Sequence, residues 1–317
     1  MMQIVISTDN KYIMPTGVMM KSLSLNNEDT MICFHILVDE TVTDKDRDSL
    51  RRVLIMNENH TIQFHEIGEY VFDDFPRLGE VKDYITKATY YRLFITRILS
   101  DDIDKVLYLD GDIIVHQPLD NLWNIDITGY AIGSVTDAAE KIQDYDRLGY
   151  APEYGYFNAG VLLINLKYWR DQDMLSEFID IIKHHSDRIR LHDQDVLNIV
   201  FHKNKKTLPV KYNLQDRFLY KEEYLQVDRA RYNREIEEAI SNPVIVHYTD
   251  SYKPWHKNAK NPYIFLFLNR LAMTEWADRK RKNKYTHNRY TYMIGSLLRR
   301  LSVLPKLRRE TVYRDFN

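Results

Sequence analysis

Two carboxylates spaced one residue apart can hold a hard divalent ion and leave positions open for phosphate oxygens, and the chain carries seven Asp-x-Asp pairs. Only Asp110 and Asp112 directly follow a run of the buried-strand type, KVLYL. Gly111 between them lets the backbone turn close to a ligand. Outside a strand context the pattern says little; in this one, metal binding becomes an open alternative. His247 lies in PVIVHYTD. It reads as a satisfied core histidine unless its strand ends beside Asp110 and Asp112, where an imidazole with two carboxylates favours manganese over calcium. Lys253, in SYKPWHKN, is either a solvated surface lysine or a flexible cation aimed at a phosphate, and the adjacent Pro254-Trp255 argues for a fixed loop. Asn158-Ala159-Gly160 precedes another buried run. It is either an Asn/Gly turn or an amide whose two donors and acceptor suit sugar hydroxyls. The HDQD of residues 192–195 reads as a helix start with Asp193 as N-cap, and His184-His185 as a solvated pair.

These residues need elements to position them. Short apolar runs at 3–7, 31–38, 61–67, 105–110, 130–135, 160–166 and 244–248 read as strands. Helix-period patterns at 16–25, 44–54, 86–99, 167–185 and 194–202 lie between several of them. Such alternation predicts an α/β fold, a Rossmann-like, mainly parallel central sheet with helices on both faces. KVLYL and GVLLINL are apolar at nearly every position, as doubly covered strands are. Ligands of such sheets bind at the carboxyl ends of the strands. There the first, fourth, fifth and last strands deliver STDNKY, DGD, TD and HYTD, so four strands bring carboxylates to one edge.

Composition excludes several classes. With 317 residues, 44% hydrophobic and 28% charged, the chain can bury a core and is neither disordered nor disulfide-stapled. The one cysteine, Cys33, fits a reducing compartment. No apolar run approaches the ~20 residues of a membrane span, and the first acidic residue falls at position 9, too early for a signal-peptide core. The expected location is cytoplasmic. The net charge of -2 conceals an asymmetry: residues 279–317 hold twelve Lys/Arg and two Asp/Glu, leaving the preceding 278 strongly acidic.

Taken together, IVISTDNKY, TYYRLFITRILSDDIDKVLYLDGDIIV, YFNAGVLLINLKYWR, HDQDVLN and VHYTDSYKPWH resemble, in order and spacing over roughly residues 3–270, the bacterial glycosyltransferase family 8. The likeness is greatest to lipopolysaccharide galactosyl- and glucosyltransferases and more distant to glycogenins. This resemblance implies a GT-A fold, a UDP-hexose donor carrying glucose or galactose, a manganese ion (with magnesium as the alternative) and retention of anomeric configuration. It implies Asp110, Asp112 and His247 as metal ligands, and Ser7, Asp9 and Tyr12 around the nucleotide, with Asp9 and Tyr12 at the uracil. Gly111 lies with the diphosphate, which Lys253 contacts. Arg92, Asn158, Asp193 and Gln194 lie around the donor sugar, and Asp137 faces the acceptor, an oligosaccharide or lipid-linked glycan of the cell envelope. Two departures bear on donor binding: Asp250 stands where the family often has glycine, and Lys11 where it has a neutral or acidic residue.

The resemblance divides the chain into a catalytic domain, 1–270, and a basic C-terminal helical tail, 271–317. Ile294, Leu297, Leu298, Leu301 and Leu304 fall on one helical stripe, with Arg299 on the opposite side, Arg300 flanking, and Tyr285, Tyr290 and Tyr292 nearby. A basic amphipathic helix of this kind lies on an anionic membrane surface without spanning it, placing the protein peripherally on the inner face of the cell membrane. Docking on a partner subunit, and so an oligomer, is the alternative; no nucleic-acid motif accompanies the charge. Competing readings are a glycogenin-like self-glycosylating initiator, and a non-catalytic sugar-nucleotide scaffold at which only Asp250 hints. A nucleotidyltransferase lacks its expected Gly-rich loop.

Overall fold

Strands that are apolar at every position need cover on both faces. The computed structural model, which describes residues 1–68, 87–284 and 313–314, provides it. All seven expected strands form: β1 (Met2–Ser7), β2 (Ile32–Val38), β3 (His60–Glu66), β4 (Lys105–Leu109), β6 (Ile132–Thr136), β7 (Phe157–Asn165) and β10 (Ile245–His247). Three more are only two or three residues long, β5 (Ile113–Val115), β8 (Lys205–Thr207) and β9 (Leu214–Gln215). At that length no period can be read from sequence.

The large sheet runs β3-β2-β1-β4-β7-β6-β8. Only β7 opposes its neighbours; every other pairing is parallel. Alternate residues face opposite cores. Ile4, Ile6, Leu107, Leu109, Val161 and Leu163 join the helices Ile13–Asn26 and Asp44–Leu54 on one side. Val5, Val106, Tyr108, Leu162 and Ile164 join Met174–His184 and His192–Phe201 on the other. The helix Asp44–Leu54 begins where expected because Thr43 and Asp46 form a reciprocal capping box.

Three expectations need correction. The closing strand β10 is not part of the large sheet: it pairs antiparallel with β5 and parallel with β9 in a separate three-stranded sheet. The helix expected over 167–185 breaks into Leu166–Asp171 and Met174–His184 where Asp173 turns left-handed at φ 48°. The region read as 86–99 is a 3₁₀ segment, Lys87–Phe94, followed by one α turn, Ile95–Ile98.

Past the helix Ile264–Leu271 the described residues stay on the body. Trp276 packs over Gly17, Arg281 donates to the His256 carbonyl, and Lys284 Nζ donates to the Ser251 carbonyl. Tyr313 donates to Asp216 Oδ1 at 2.9 Å. The amphipathic stripe 294–304 lies outside the described residues, as do Tyr285, Tyr290 and Tyr292.

One polar clamp fixes the helix His192–Phe201 against β7. The amide of Asn198, fully buried, accepts from the Phe157 N–H at 2.8 Å and donates to the Phe157 carbonyl at 2.8 Å and the Gln194 carbonyl at 2.9 Å. Asn198→Leu fills the space but leaves both Phe157 groups unpaired, so unfolding in urea is expected to show a loss of about 2–4 kcal/mol. An unchanged midpoint would mean that the clamp holds nothing.

Candidate functional site

The chain leaves the large sheet at the end of β4 and enters the small one at β5, and Asp110-Gly111-Asp112 is the crossing. His247 pairs in register with Ile113, and the Tyr248 N–H donates to the Asp112 carbonyl at 3.1 Å, which sets the histidine beside both carboxylates. Its Nε2 lies 3.2 Å from Asp112 Oδ1 and 3.8 Å from Asp110 Oδ2. One ligand atom from each of the three residues falls within 4.8 Å of the others, the only such cluster among the described residues. His247 is therefore not an isolated core histidine.

Gly111 does not adopt a left-handed turn. Its lack of a side chain matters instead for close approach: a Cβ there would come within 2.8 Å of Thr16 Oγ1 on the helix Ile13–Asn26. The same need is stronger at Gly160. A Cβ on it would sit 2.2 Å from His247 Cε1 and 2.7 Å from Asp110 Oδ2. Asn158-Ala159-Gly160 thus forms the start of β7 rather than a turn before it, and its backbone is the floor under the cluster.

Two cations balance the carboxylates. Arg92, almost fully buried, donates to Asp110 Oδ1 at 2.8 Å and to the Ala159 carbonyl, with its guanidinium 4.1 Å from the Tyr108 ring centre. Lys253 Nζ lies 2.8 Å from Asp112 Oδ2 and also donates to the Tyr248 carbonyl, so it is neither solvated nor dangling. Burial opposes charge on Asp112, yet Lys253 and His247 hold its carboxyl below the ordinary carboxylate range.

A cavity of about 310 Å³ opens above this cluster. Ser7, Asp9, Tyr12, Arg92, Asp193 and Gln194 line it together with Asp110, Gly111 and Asp112. Asp9 Oδ1 accepts from the Lys11 and Tyr12 N–H groups at 2.9 and 3.1 Å, while the Tyr12 ring meets Trp255 edge-on at 5.6 Å. Lys11 itself points to solvent. Asp193 is not an N-cap: the helix begins at His192, which takes a left-handed φ of 53°, and Asp193 sits in the first turn. Arg92 Nε lies 2.9 Å from Asp193 Oδ2, off the hydrogen-bonding angle, so this buried oxygen accepts no hydrogen bond. Burial pushes the Asp193 carboxyl up to about 7 against the pull of Arg92. Asp195 anchors the chain that enters the helix, accepting from the Arg190 and Leu191 N–H groups and from Tyr156, and pairing with Arg147 at 2.9 Å.

Beside the first cavity lies a second of about 560 Å³. Asn158 and Asp137 line it, together with Asp216, Tyr220 and Asp250. Three side chains form the wall next to it: Asn158 Nδ2 donates to Asp137 Oδ2 and Gln194 Oε1, and Gln194 Nε2 donates to Asp137 Oδ2, each at 3.2 Å. Asp250 does not line the first cavity; its N–H donates to Asp216 Oδ2 at 2.9 Å. His184, as expected, is exposed, paired only with Asp180 on its own helix. Sequence reasoning missed Tyr108 and Asn213. Tyr108, two residues before Asp110, shares its strand face, a signal that period-2 alternation carries. Asn213 touches His247 from the end of another loop, and no local pattern marks it.

Replacing Gly160 by alanine must displace His247, Asp110 or both, because the added methyl overlaps them. Calorimetric titration with divalent cations is expected to show at least a roughly tenfold weaker affinity, with the chain still folded. Unchanged affinity would disconnect β7 from the cluster.

Comparison with known proteins follows the same lines. The chain is 28% identical to General stress protein A of Bacillus subtilis over 280 residues, 87% of this chain and 94% of that protein. It is 28% identical to a lipopolysaccharide 1,2-glucosyltransferase of Escherichia coli over 301 residues, 89% and 84% of the two chains. Among solved structures it is similar to the galactosyltransferase LgtC in complex with donor and acceptor sugar analogs. There the TM-score is 0.76 at 27% identity, covering 86% of this chain and 96% of that one, and the shared architecture is the GT-A fold. The family model described as Glycosyl transferase family 8 matches residues 3–259, and the chain belongs to that family.

Proposed function

We propose that the protein transfers a hexose, glucose or galactose, from a UDP-sugar to a glycan acceptor of the cell envelope, with retention of anomeric configuration. One observation carries this reading. Asp110 and Asp112 of the ligand set line the first cavity together with Asp9 and Tyr12 and with Asp193 and Gln194. A nucleotide-sugar needs groups of these three kinds, for its diphosphate, its base and its sugar, in one cavity. The relatives named as glucosyl- and galactosyltransferases support the class of donor.

The donor set of two carboxylates and one imidazole fits manganese, with magnesium as the weaker match to nitrogen. Bound there, the ion would supply Lewis-acid countercharge to a diphosphate leaving group. Asp9 has one oxygen engaged by backbone N–H groups, leaving the other to accept from the uracil base. Tyr12 presents its face for stacking. Lys253 would exchange its contact with Asp112 for the diphosphate, adding a cation where negative charge develops in a dry cleft. Asp193 Oδ2, buried and without a donor, suits a hydroxyl of the hexose.

Gln194 is a poor nucleophile. Its Oε1 already accepts from the Ala159 N–H at 3.0 Å and from Asn158, which occupies both lone pairs. We therefore favour front-face substitution: the acceptor hydroxyl enters from the second cavity, oriented by Asp137, on the side from which UDP departs, so that its oxygen bonds to the anomeric carbon as the bond to the diphosphate oxygen breaks and its proton passes to that departing oxygen. Gln194 Oε1 then stabilises oxocarbenium character without bonding to it. A trapped adduct on Gln194 or Asp193, seen by intact mass, would overturn this step.

Release of UDP from a panel of UDP-sugars tests the main reading, since slow donor hydrolysis needs no acceptor. One hexose is expected to support manganese-dependent release that a chelator abolishes and that falls roughly 100-fold or more in Asp112→Asn. Release that ignores both chelator and substitution would sink the metal assignment; tight UDP binding with no turnover on any glycan would sink the transferase.

The basic tail supports a peripheral membrane location, and no described helix is long and apolar enough to cross a membrane. Because residues up to Lys284 brace the loop that carries Lys253, the informative truncation ends the chain at 284 rather than at 278. That variant is expected to lose co-sedimentation with phosphatidylglycerol vesicles while retaining donor hydrolysis. Undiminished vesicle binding would place the membrane contact elsewhere.

A further inference from the structure

A histidine can ligate a metal through Nε2 only when the proton of its neutral ring sits on Nδ1, and something must hold it there. Asn213, fully buried at the end of the 3₁₀ turn Val210–Tyr212, is in contact with that nitrogen: its Oδ1 lies 2.9 Å from His247 Nδ1. An amide could in principle present either end to the ring. Here the choice is made from a distance. Gly160 N–H, a backbone donor that cannot reverse its role, points at Asn158 Oδ1 at 3.0 Å. The other end of the Asn158 amide faces Asp137 Oδ2 and Gln194 Oε1, both acceptors. Asn158 is thereby oriented from both sides. Asn213 Nδ2 donates to the same Asn158 oxygen at 2.9 Å, so its own oxygen must face the ring. A carbonyl oxygen only accepts. His247 therefore carries hydrogen on Nδ1, and in the neutral ring the free lone pair is then the one on Nε2, the nitrogen that faces Asp110 and Asp112.

We propose that Asn213 is a positioning residue that fixes the metal-ligating tautomer of His247, with its own orientation set through Asn158 by the Gly160 backbone. The proposal rests on the metal reading of the cluster given above. It gives Asn158 a second duty besides any contact with sugar: the same amide that faces Asp137 and Gln194 sets the histidine. The floor glycine that leaves room for His247 also supplies the N–H from which the orientation starts. The connection is made of fixed donor and acceptor roles, so it carries a definite sign from β7 to the imidazole.

The test uses the full chain, with manganese alone as probe, and the variants Asn213→Ala and Asn213→Asp. Binding is read from loss of the free manganese paramagnetic resonance signal. The tautomer is read from nitrogen-15 spectra of histidine-labelled, metal-free protein above the ordinary histidine titration range, with His247→Gln to assign the resonance. Wild type is expected to show the Nδ1–H form. Asn213→Ala is expected to shift the population toward Nε2–H and weaken manganese binding by about 10–100-fold. Asn213→Asp keeps an acceptor facing Nδ1–H but cannot donate to Asn158. It should hold the tautomer and bind manganese at least as well as wild type, while donor hydrolysis falls because Asn158 loses a partner. Wild-type affinity and tautomer in Asn213→Ala would overturn the proposal, as would an Nε2–H tautomer in wild type. If Asn213→Ala fails to fold, weakened manganese binding by Asn213→Asp overturns it. If wild type binds no manganese, the metal reading fails, and the tautomer spectra still decide what Asn213 does.

Discussion

The rest of the site is arranged around the repulsion between Asp110 and Asp112. Two carboxylate oxygens within 4.8 Å repel by about 3.5 kcal/mol at an effective dielectric of about 20. The fold places them at the seam between its two sheets, where neither can move away. What makes the seam tolerable is a separate cation for each: Arg92 on Asp110 and Lys253 on Asp112, both closer than 3 Å. Each cation is in turn held by a backbone carbonyl, Ala159 for the arginine and Tyr248 for the lysine. The charge balance thus ties β4 to the 3₁₀ segment before it, to β7, and to the loop after β10. Breaking one such buried pair leaves an uncompensated charge, which costs far more than the pair contributes.

How much of this was legible in the sequence depends on range. Asp110 and Asp112 announced themselves because KVLYL is short, apolar and immediately upstream. The strand pattern placed every strand of more than three residues, since two-faced burial leaves a continuous apolar run. Asp193 was misread because an Asp at a helix start usually caps it, and nothing local reveals that Asp195 takes the N–H contacts of the entering chain while Asp193 turns toward Arg92. Asn158-Ala159-Gly160 was ambiguous for the same reason. A small polar triplet looks like a turn until the partner strands are known, and the decisive neighbour, His247, comes from 87 residues further along the chain. Asn213 left no trace at all. Its meaning comes from the parallel pairing of β9 with β10, and β9, only two residues long, is too short to recognise.

Gln194 lines the first cavity, Asn158 and Asp137 the second. Asn158, Gln194 and Asp137 donate and accept among themselves, and Asn198 pins the helix that carries Gln194 to the strand that carries Asn158. Such a wall is polar on both faces, yet each group in it already has a partner. It can meet hydroxyl groups from either side with little rearrangement.

The C-terminal region has two attachments. Lys284 is held at the loop 251–258 and Tyr313 at Asp216. The first contact braces the loop that carries Lys253, and the second holds a carboxylate that lines the second cavity. Each cavity therefore borrows part of its support from the far end of the sequence, and a change made there would be felt at the site before it was felt in the core.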